Sequence, residues 1–216
     1  PSSILSARLI PAWCVRCTEM NQAETNFKTH TEIIRIRGLV QGVGFRPTVY
    51  RIAQQLSLCG EVFNDGAGVQ VVIQDSAAEI DAFIDNISAQ CPPLARIDSI
   101  HRDAVSELLK YKDFSISASQ SGTIQTGIIP DAATCAECLQ DINNPQNRRT
   151  DYAFTNCTHC GPRLSIVKQI PYDRAHTSMQ PFDLCERCQQ EYNDPGNRRF
   201  HAQPNACPDC GPQLRL

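Results

Sequence analysis

The stretch Gly38-Leu39-Val40-Gln41-Gly42-Val43-Gly44-Phe45-Arg46-Pro47 combines three glycines, an arginine and a proline between an alternating segment and an amphipathic one. Glycines let a backbone approach a ligand closely. A loop that feeds a helix N-terminus presents unpaired N–H groups, and the helix dipole there favours an anion. The Arg46 guanidinium adds a planar fork of donors matched to phosphate oxygens. Pro47 suits the first position of a helix, where a missing N–H costs nothing. These residue types in this order predict a phosphate cradle.

Sulfur forms the second group. Of 12 cysteines, ten fall in five C-x2-C pairs: Cys14/Cys17, Cys135/Cys138, Cys157/Cys160, Cys185/Cys188 and Cys207/Cys210. After Pro130 the chain repeats itself with a period of 50 residues. Cys135, Cys138, Cys157 and Cys160 match Cys185, Cys188, Cys207 and Cys210, and Arg148 and Arg149 match Arg198 and Arg199. Each unit reads C-x2-C-x18-C-x2-C, a spacing suited to a four-cysteine zinc site. His159 and His201 align with Asp209 and Asp151 and do not recur, so four sulfurs are assigned to each of two zinc ions. The histidines are left as surface or local hydrogen-bonding residues. One zinc per unit is preferred, because the shorter loops cost less entropy to close. A closed four-thiolate site has no open position for substrate and argues a structural metal. The paired arginines either form local basic spots or offset thiolate charge. Cys14/Cys17 has no second half nearby, and Cys59 and Cys91 are expected to be small buried apolar residues.

The elements that must position these groups follow from periodicity. Ile34 and Ile36 alternate with Arg35 and Arg37, a half-buried strand. Beyond the loop, Val49, Ile52, Ala53 and Leu56 line one helix face, with Gly60 as the expected stop. Glu61–Asn64 reads as a strand, Asn64 to Gly68 as a tight turn, and Val69, Val71 and Ile73 as one face of the next strand. Ser76 with Glu79 suggests a capping box ahead of a second helix carrying Ile80, Phe83, Ile84 and Ile87. Further strands are expected near 97–102 and 112–117. The order is β-α-β-β-α-β, which predicts an α+β, ferredoxin-like domain: two helices on one face of a four-stranded antiparallel sheet. The expected organisation is a flexible extension over 1–30, this domain over 31–119, a linker over 120–130, and zinc units over 131–180 and 181–216.

Composition narrows the function classes. Net charge is −3, and residues 131–216 hold 9 Lys/Arg against 10 Asp/Glu, so nucleic acid is not the expected partner. No apolar run approaches the roughly 18 residues of a membrane span. Ile4–Trp13 is short and interrupted by Arg8 and Pro11, so it does not make a signal peptide, and a cytoplasmic location is expected.

Strand, Gly-Leu-Val-Gln-Gly-Val-Gly-Phe-Arg loop, helix, and then Asn64 at the end of the next strand together resemble the acylphosphatase family. The resemblance implies phosphate binding by Gln41, Gly42, Val43, Gly44, Phe45 and Arg46, with Arg46 as the charged partner and Asn64 orienting the attacking water. Thr155-Asn156-Cys157-Thr158-His159-Cys160-Gly161-Pro162-Arg163 and Arg198-Arg199-Phe200-His201-Ala202-Gln203-Pro204-Asn205-Ala206-Cys207 are similar to the N-terminal half of the hydrogenase-maturation carbamoyltransferases. That resemblance implies hydrolysis of carbamoyl phosphate, then ATP-dependent carbamoyl transfer to a HypE-type maturation protein, the group becoming a cyanide ligand. The nucleotide-binding and transferase portions are not in these 216 residues, so a fragment performing the phosphatase step alone is expected. Two other readings stay open: a free-standing acylphosphatase with structural zinc units, and a zinc-finger binding module.

Overall fold

The computed structural model describes residues 29–105 and 111–214. The expectations for the N-terminal extension and for Cys14/Cys17 fall outside the described residues.

The first half is a sheet with two helices. β1 (His30–Leu39) leads through the glycine loop into α1 (Phe45–Gln55), followed by β2 (Cys59–Asp65), β3 (Gly68–Asp75), α2 (Ala77–Ala89), β4 (Arg96–Val105) and β5 (Phe114–Ile116). The β-α-β-β-α-β order is present, and the sheet runs β4-β1-β3-β2-β5. Both strands expected near 97–102 and 112–117 form, as β4 and β5, and the four-stranded antiparallel sheet is corrected to five strands, mixed because β5 runs parallel to β2. Only three residues pair there, Gly60 to Phe114, Glu61 to Ser115 and Val62 to Ile116. The antiparallel register of β1 against β3, Ile34 opposite Val71 and Ile36 opposite Val69, puts the apolar positions on one face. That face packs against Val49, Ile52 and Ala53 of α1 and Ile80, Phe83 and Ile87 of α2.

Local details depart from expectation for identifiable reasons. Helix α1 begins at Phe45, so Pro47 takes the third helical position rather than the first. The cost remains nil, because the first four N–H groups of a helix have no internal partner. Gly60 does not stop the helix; it lies inside β2, where any Cβ would stand 2.1 Å from the Val72 carbonyl oxygen. The chain reverses instead at Ser57, with φ 55. Only half of the capping box forms: Ser76 Oγ accepts from Glu79 N, while Ser76 N turns to Asp75 Oδ1 at 2.7 Å. Cys59 is disulfide-bonded rather than a lone apolar filler.

Residues 120–130, expected as a linker, lie along the sheet edge. Gln120 N donates to Asn64 O at 2.9 Å and Gln125 N to Gly66 O at 2.7 Å, and Ile129 enters the core.

The second half has little regular structure: α3 (Ala136–Asn143), a 3-10 turn at Arg174–His176 and α4 (Glu186–Asn193). The repeats are held together by exchanged arginines. Arg149 of the first repeat reaches Glu191 at 2.6 Å and Ala206 O at 2.9 Å in the second. Arg199 of the second reaches Asp141 at 2.5 Å and Asn156 O at 3.0 Å in the first. Both sets of partners obey the 50-residue shift, so the interface is quasi-symmetric. Burial alone would raise the Glu191 pKa, but the hydrogen bonds from Arg149 and Arg148 outweigh it and pull it to about 2. The second unit also leans on α1, with the Tyr50 and Phe200 rings 5.3 Å apart and Arg51 Nε donating to Pro195 O at 3.0 Å.

Arg149 is 2% exposed, so its truncation leaves Glu191 without its best partner inside the interface. Arg149→Ala is expected to destabilise the paired units by roughly 3 kcal/mol, read by chemical denaturation. A loss below about 0.5 kcal/mol, as for an exposed ion pair, would contradict the exchange as a source of stability.

Candidate functional site

The glycine loop turns at Gly42 and Gly44, whose φ angles of 75° and 77° lie in the left-handed region. The close approach of other segments adds a second reason for glycine. A Cβ on Gly42 would lie 3.2 Å from Arg163 Cδ, and one on Gly44 3.2 Å from Thr158 Cβ. Val43 and Phe45 send their side chains into the core, so only their backbone faces the loop's concavity. The Gln41 side chain is spent on structure. Its Nε2 donates to Asp65 O at 2.7 Å and Gly68 O at 2.8 Å, while its Oε1 accepts from Tyr172 N at 2.9 Å. The loop is thereby tied to the β2–β3 hairpin.

Arg46, in the first turn of α1, and Asn64, near the end of β2, come together. An Asn64 NH2 facing a guanidinium would set donor against donor. The carboxamide is therefore assigned with its oxygen toward Arg46, accepting from Nε at 3.1 Å and Nη2 at 3.2 Å. This leaves the Asn64 NH2 directed away from the cation. Arg46 also donates to Ser119 Oγ at 3.2 Å, Tyr172 O at 3.3 Å and Asp173 Oδ1 at 2.6 Å. Both residues are nearly buried, Arg46 at 8% and Asn64 at 1% exposure.

The cysteine-rich half roofs this pair. A cavity of about 30 Å³ is lined by Gly42, Gly44, Arg46 and Asn64 below and by Thr158, Arg163, Tyr172 and His201 above. Arg163 donates through Nε to Gly42 O, and through Nη1 and Nη2 to Cys160 O and Thr158 O, both at 2.9 Å. His201 was expected at the surface or in local hydrogen bonding, yet it is half-buried in this roof between Tyr192 and Phe200. Burial and the nearby Arg46 cation push its pKa down to about 4, so a neutral ring faces the cavity. Burial likewise pushes the Tyr172 phenol up to about 12.

Sequence reasoning did not identify Ser119, Arg163, Tyr172, Asp173 or His201 as neighbours of the loop. One signal was available. Arg163 aligns with Gln213, and His201 with Asp151, so neither is demanded by the repeat. Tyr172 and Asp173 lie in the part of the first unit that the 50-residue repeat does not cover.

The eight assigned cysteines gather into two clusters, Cys135, Cys138, Cys157 and Cys160, and Cys185, Cys188, Cys207 and Cys210. In each, all sulfurs lie within 4.8 Å of one another. Neighbouring separations are 3.8 Å in the first and 3.6 to 3.7 Å in the second. Disulfides would need about 2.05 Å, whereas a zinc ion at about 2.3 Å from four tetrahedral sulfurs sets edges near 3.8 Å. The donor set and its spacing therefore fit zinc. Cys135 also caps α3, its Sγ accepting from Cys138 N, and Cys185 holds the N-cap position of α4 without a side-chain bond. The arginines cross over here as well: Arg198 Nη1 lies 2.8 Å from Cys138 Sγ, and Arg148 Nη2 lies 3.3 Å from Cys188 Sγ. The two open roles for these arginines thus resolve toward offsetting sulfur charge, each on the opposite unit. His159 is exposed and stands outside its cluster. Among the described residues, no helix is long and apolar enough to cross a membrane.

The acylphosphatase family model matches residues 32–116, and the HypF finger model matches 134–167 and 184–216. Carbamoyltransferase HypF2 of Cupriavidus necator is 50% identical over 69% of this chain and 19% of its own length. Acylphosphatase of Lactobacillus gasseri is 37% identical over 40% of this chain and 96% of its own. A crystal structure of full-length HypF in the phosphate- and nucleotide-bound form superposes with a TM-score of 0.82 at 47% identity, covering 86% of this chain and 25% of that one. The chain spans about a fifth of the length of the curated carbamoyltransferases it matches.

Proposed function

We propose, for a chain that belongs to the acylphosphatase family and carries two HypF fingers, that its loop and Arg46/Asn64 pair hydrolyse carbamoyl phosphate. The observation that carries the reading is the meeting of Arg46 and Asn64 beside a glycine loop at a helix N-terminus. An acyl phosphate brings its own good leaving group. The protein then has to neutralise a dianion and place one water in line with the bond that breaks. Backbone N–H groups of Gln41–Arg46 and the Arg46 fork would hold the phosphoryl oxygens, each charge-assisted hydrogen bond contributing about 1.5–3 kcal/mol. The Asn64 NH2 would hold the water through one lone pair, leaving the other free to attack phosphorus. The phosphorus–oxygen bond to the acyl group breaks, and carbamate and inorganic phosphate leave.

Carbamate is the substrate that an ATP-dependent carbamoyl transfer would consume. In the proposed pathway the remainder of a HypF-type protein uses ATP to activate it and passes the carbamoyl group to a HypE-type partner during hydrogenase maturation. This chain supplies the phosphatase step. Each cysteine cluster would hold one structural zinc, and each zinc–thiolate centre would carry a formal charge of about −2. The arginine donated from the opposite unit would offset that charge.

Phosphate release from carbamoyl phosphate, corrected for spontaneous decay, is expected to fall at least about 100-fold in Arg46→Gln and in Asn64→Ala. Wild-type rates in both variants would refute the site. Comparison with acetyl and benzoyl phosphate separates this reading from an acylphosphatase of broad range. Metal analysis is expected to find two zinc ions per chain, with one lost in Cys138→Ser and one in Cys188→Ser. Absence of zinc from the wild type, or two ions in both variants, would contradict structural zinc in these clusters.

A further inference from the structure

We propose that Asp173 sets the affinity of the loop for phosphoryl groups, its carboxylate acting as an internal anion that an incoming phosphate must displace from Arg46. The proposal rests on the reading of residues 41–46 as a phosphate cradle. The closest partner of the Arg46 guanidinium is Asp173, at 2.6 Å, and the remaining donors go to Ser119, Tyr172 and Asn64. Little of the fork is left for a ligand. The cavity beside it, about 30 Å³, is narrow. A phosphate that takes the fork must displace one of these partners.

The segment bearing Asp173 is fixed on both sides of it. Tyr172 N is bonded to Gln41 Oε1 at 2.9 Å. Arg174 donates to Gln203 O at 2.7 Å, Asn205 O at 2.9 Å and Phe182 O at 2.6 Å. The backbone is therefore anchored to the loop on one side and to the second unit on the other. The Asp173 side chain is less confined. It keeps 23% exposure against 9% for the side chain of Arg46, so rotation about its own bonds carries the carboxylate to water while the backbone stays in place. If the carboxylate stayed, it would oppose a dianion at the same guanidinium, and like charges at close range are strongly unfavourable. Asp173 lies in the part of the first unit that the repeat does not cover and belongs to neither cysteine cluster, so the repeat does not demand an acid there. The consequence is a cradle that grips phosphate weakly. Weak grip favours release of the inorganic phosphate product and keeps the cradle free for the next acyl phosphate.

The test is calorimetric titration of inorganic phosphate, at fixed pH and salt, into the full zinc-loaded chain. The proteins are wild type, Asp173→Asn, Asp173→Ser, Arg46→Gln and the Asp173→Asn/Arg46→Gln double variant. Asparagine and serine both serve at the N-cap position that Asp173 holds ahead of the 3-10 turn, so two neutral variants guard against a folding defect in one. Both are expected to bind phosphate at least about tenfold more tightly than wild type, with the gain absent when Arg46 is also replaced. In hydrolysis the same variants are expected to show a lower KM and stronger inhibition by product phosphate. Unchanged or weaker phosphate binding in both folded Asp173 variants, with Arg46→Gln still abolishing wild-type binding, overturns the proposal and leaves the cradle standing. Phosphate binding that does not depend on Arg46 overturns the cradle and the proposal together.

Discussion

The arrangement depends on one buried cation. Arg163 is 1% exposed, and its guanidinium is satisfied by carbonyl groups rather than by an acid. Cys157, Thr158, Cys160 and Pro162 supply carbonyls from the knuckle of the first cysteine cluster, and Gly42 supplies the last one from the glycine loop. A buried charge is tolerated only when its donors are all met. The knuckle must therefore be folded for Arg163 to be stable there, and Arg163 must be there for the Gly42 carbonyl to be held outward. That bond ties the first cysteine cluster directly to the loop proposed as the cradle. The cysteine units thus bear on the chemistry without supplying a catalytic metal.

The duplication adds a second layer of constraint. A unit of four cysteines, one short helix and irregular loops buries little apolar surface; the core of the first cluster consists of its own cysteines. The exchange of Arg148 and Arg149 for Arg198 and Arg199 compensates, because each unit completes the electrostatics of the other. Asp141 and Glu191, equivalent positions in the two repeats, both have lowered pKa values because arginine hydrogen bonds overcome the effect of burial. The pair then presents a rigid roof, carrying His201 and the Tyr172–Asp173 strap, to the loop below.

Much of this was legible in the sequence, and the boundary of legibility has physical causes. Strand alternation at Ile34 and Ile36 and the helix face of Val49, Ile52 and Ala53 reported local burial, and they led to the β-α-β-β-α-β order. Cysteine spacing reported the clusters because metal-ligand geometry is short-range and the repeat printed it twice. The strand expected near 112–117 is present as Phe114–Ile116, but its place was not legible, since it pairs over three residues and in parallel, with no hairpin signal. The roof was not legible. Contacts such as Arg163 to Gly42, 121 residues apart, and Asp173 to Arg46, 127 apart, leave no periodic trace. The departures of Arg163 and His201 from the repeat were the one hint. The equivalent residues Asp151 and His201 share the left-handed backbone conformation, so the repeat sets the backbone there and leaves the side chain free for another role.

The central claim is that the N–H groups of the glycine loop, together with Arg46, face a phosphoryl anion. The most direct measurement follows the backbone amide resonances of Gln41–Arg46 by two-dimensional NMR as inorganic phosphate is added. The account predicts saturable shifts of these amides, of the Arg46 side chain and of the Asn64 carboxamide, with slower hydrogen exchange at the loop amides. Loop amides that do not respond at phosphate concentrations that shift other signals would contradict it.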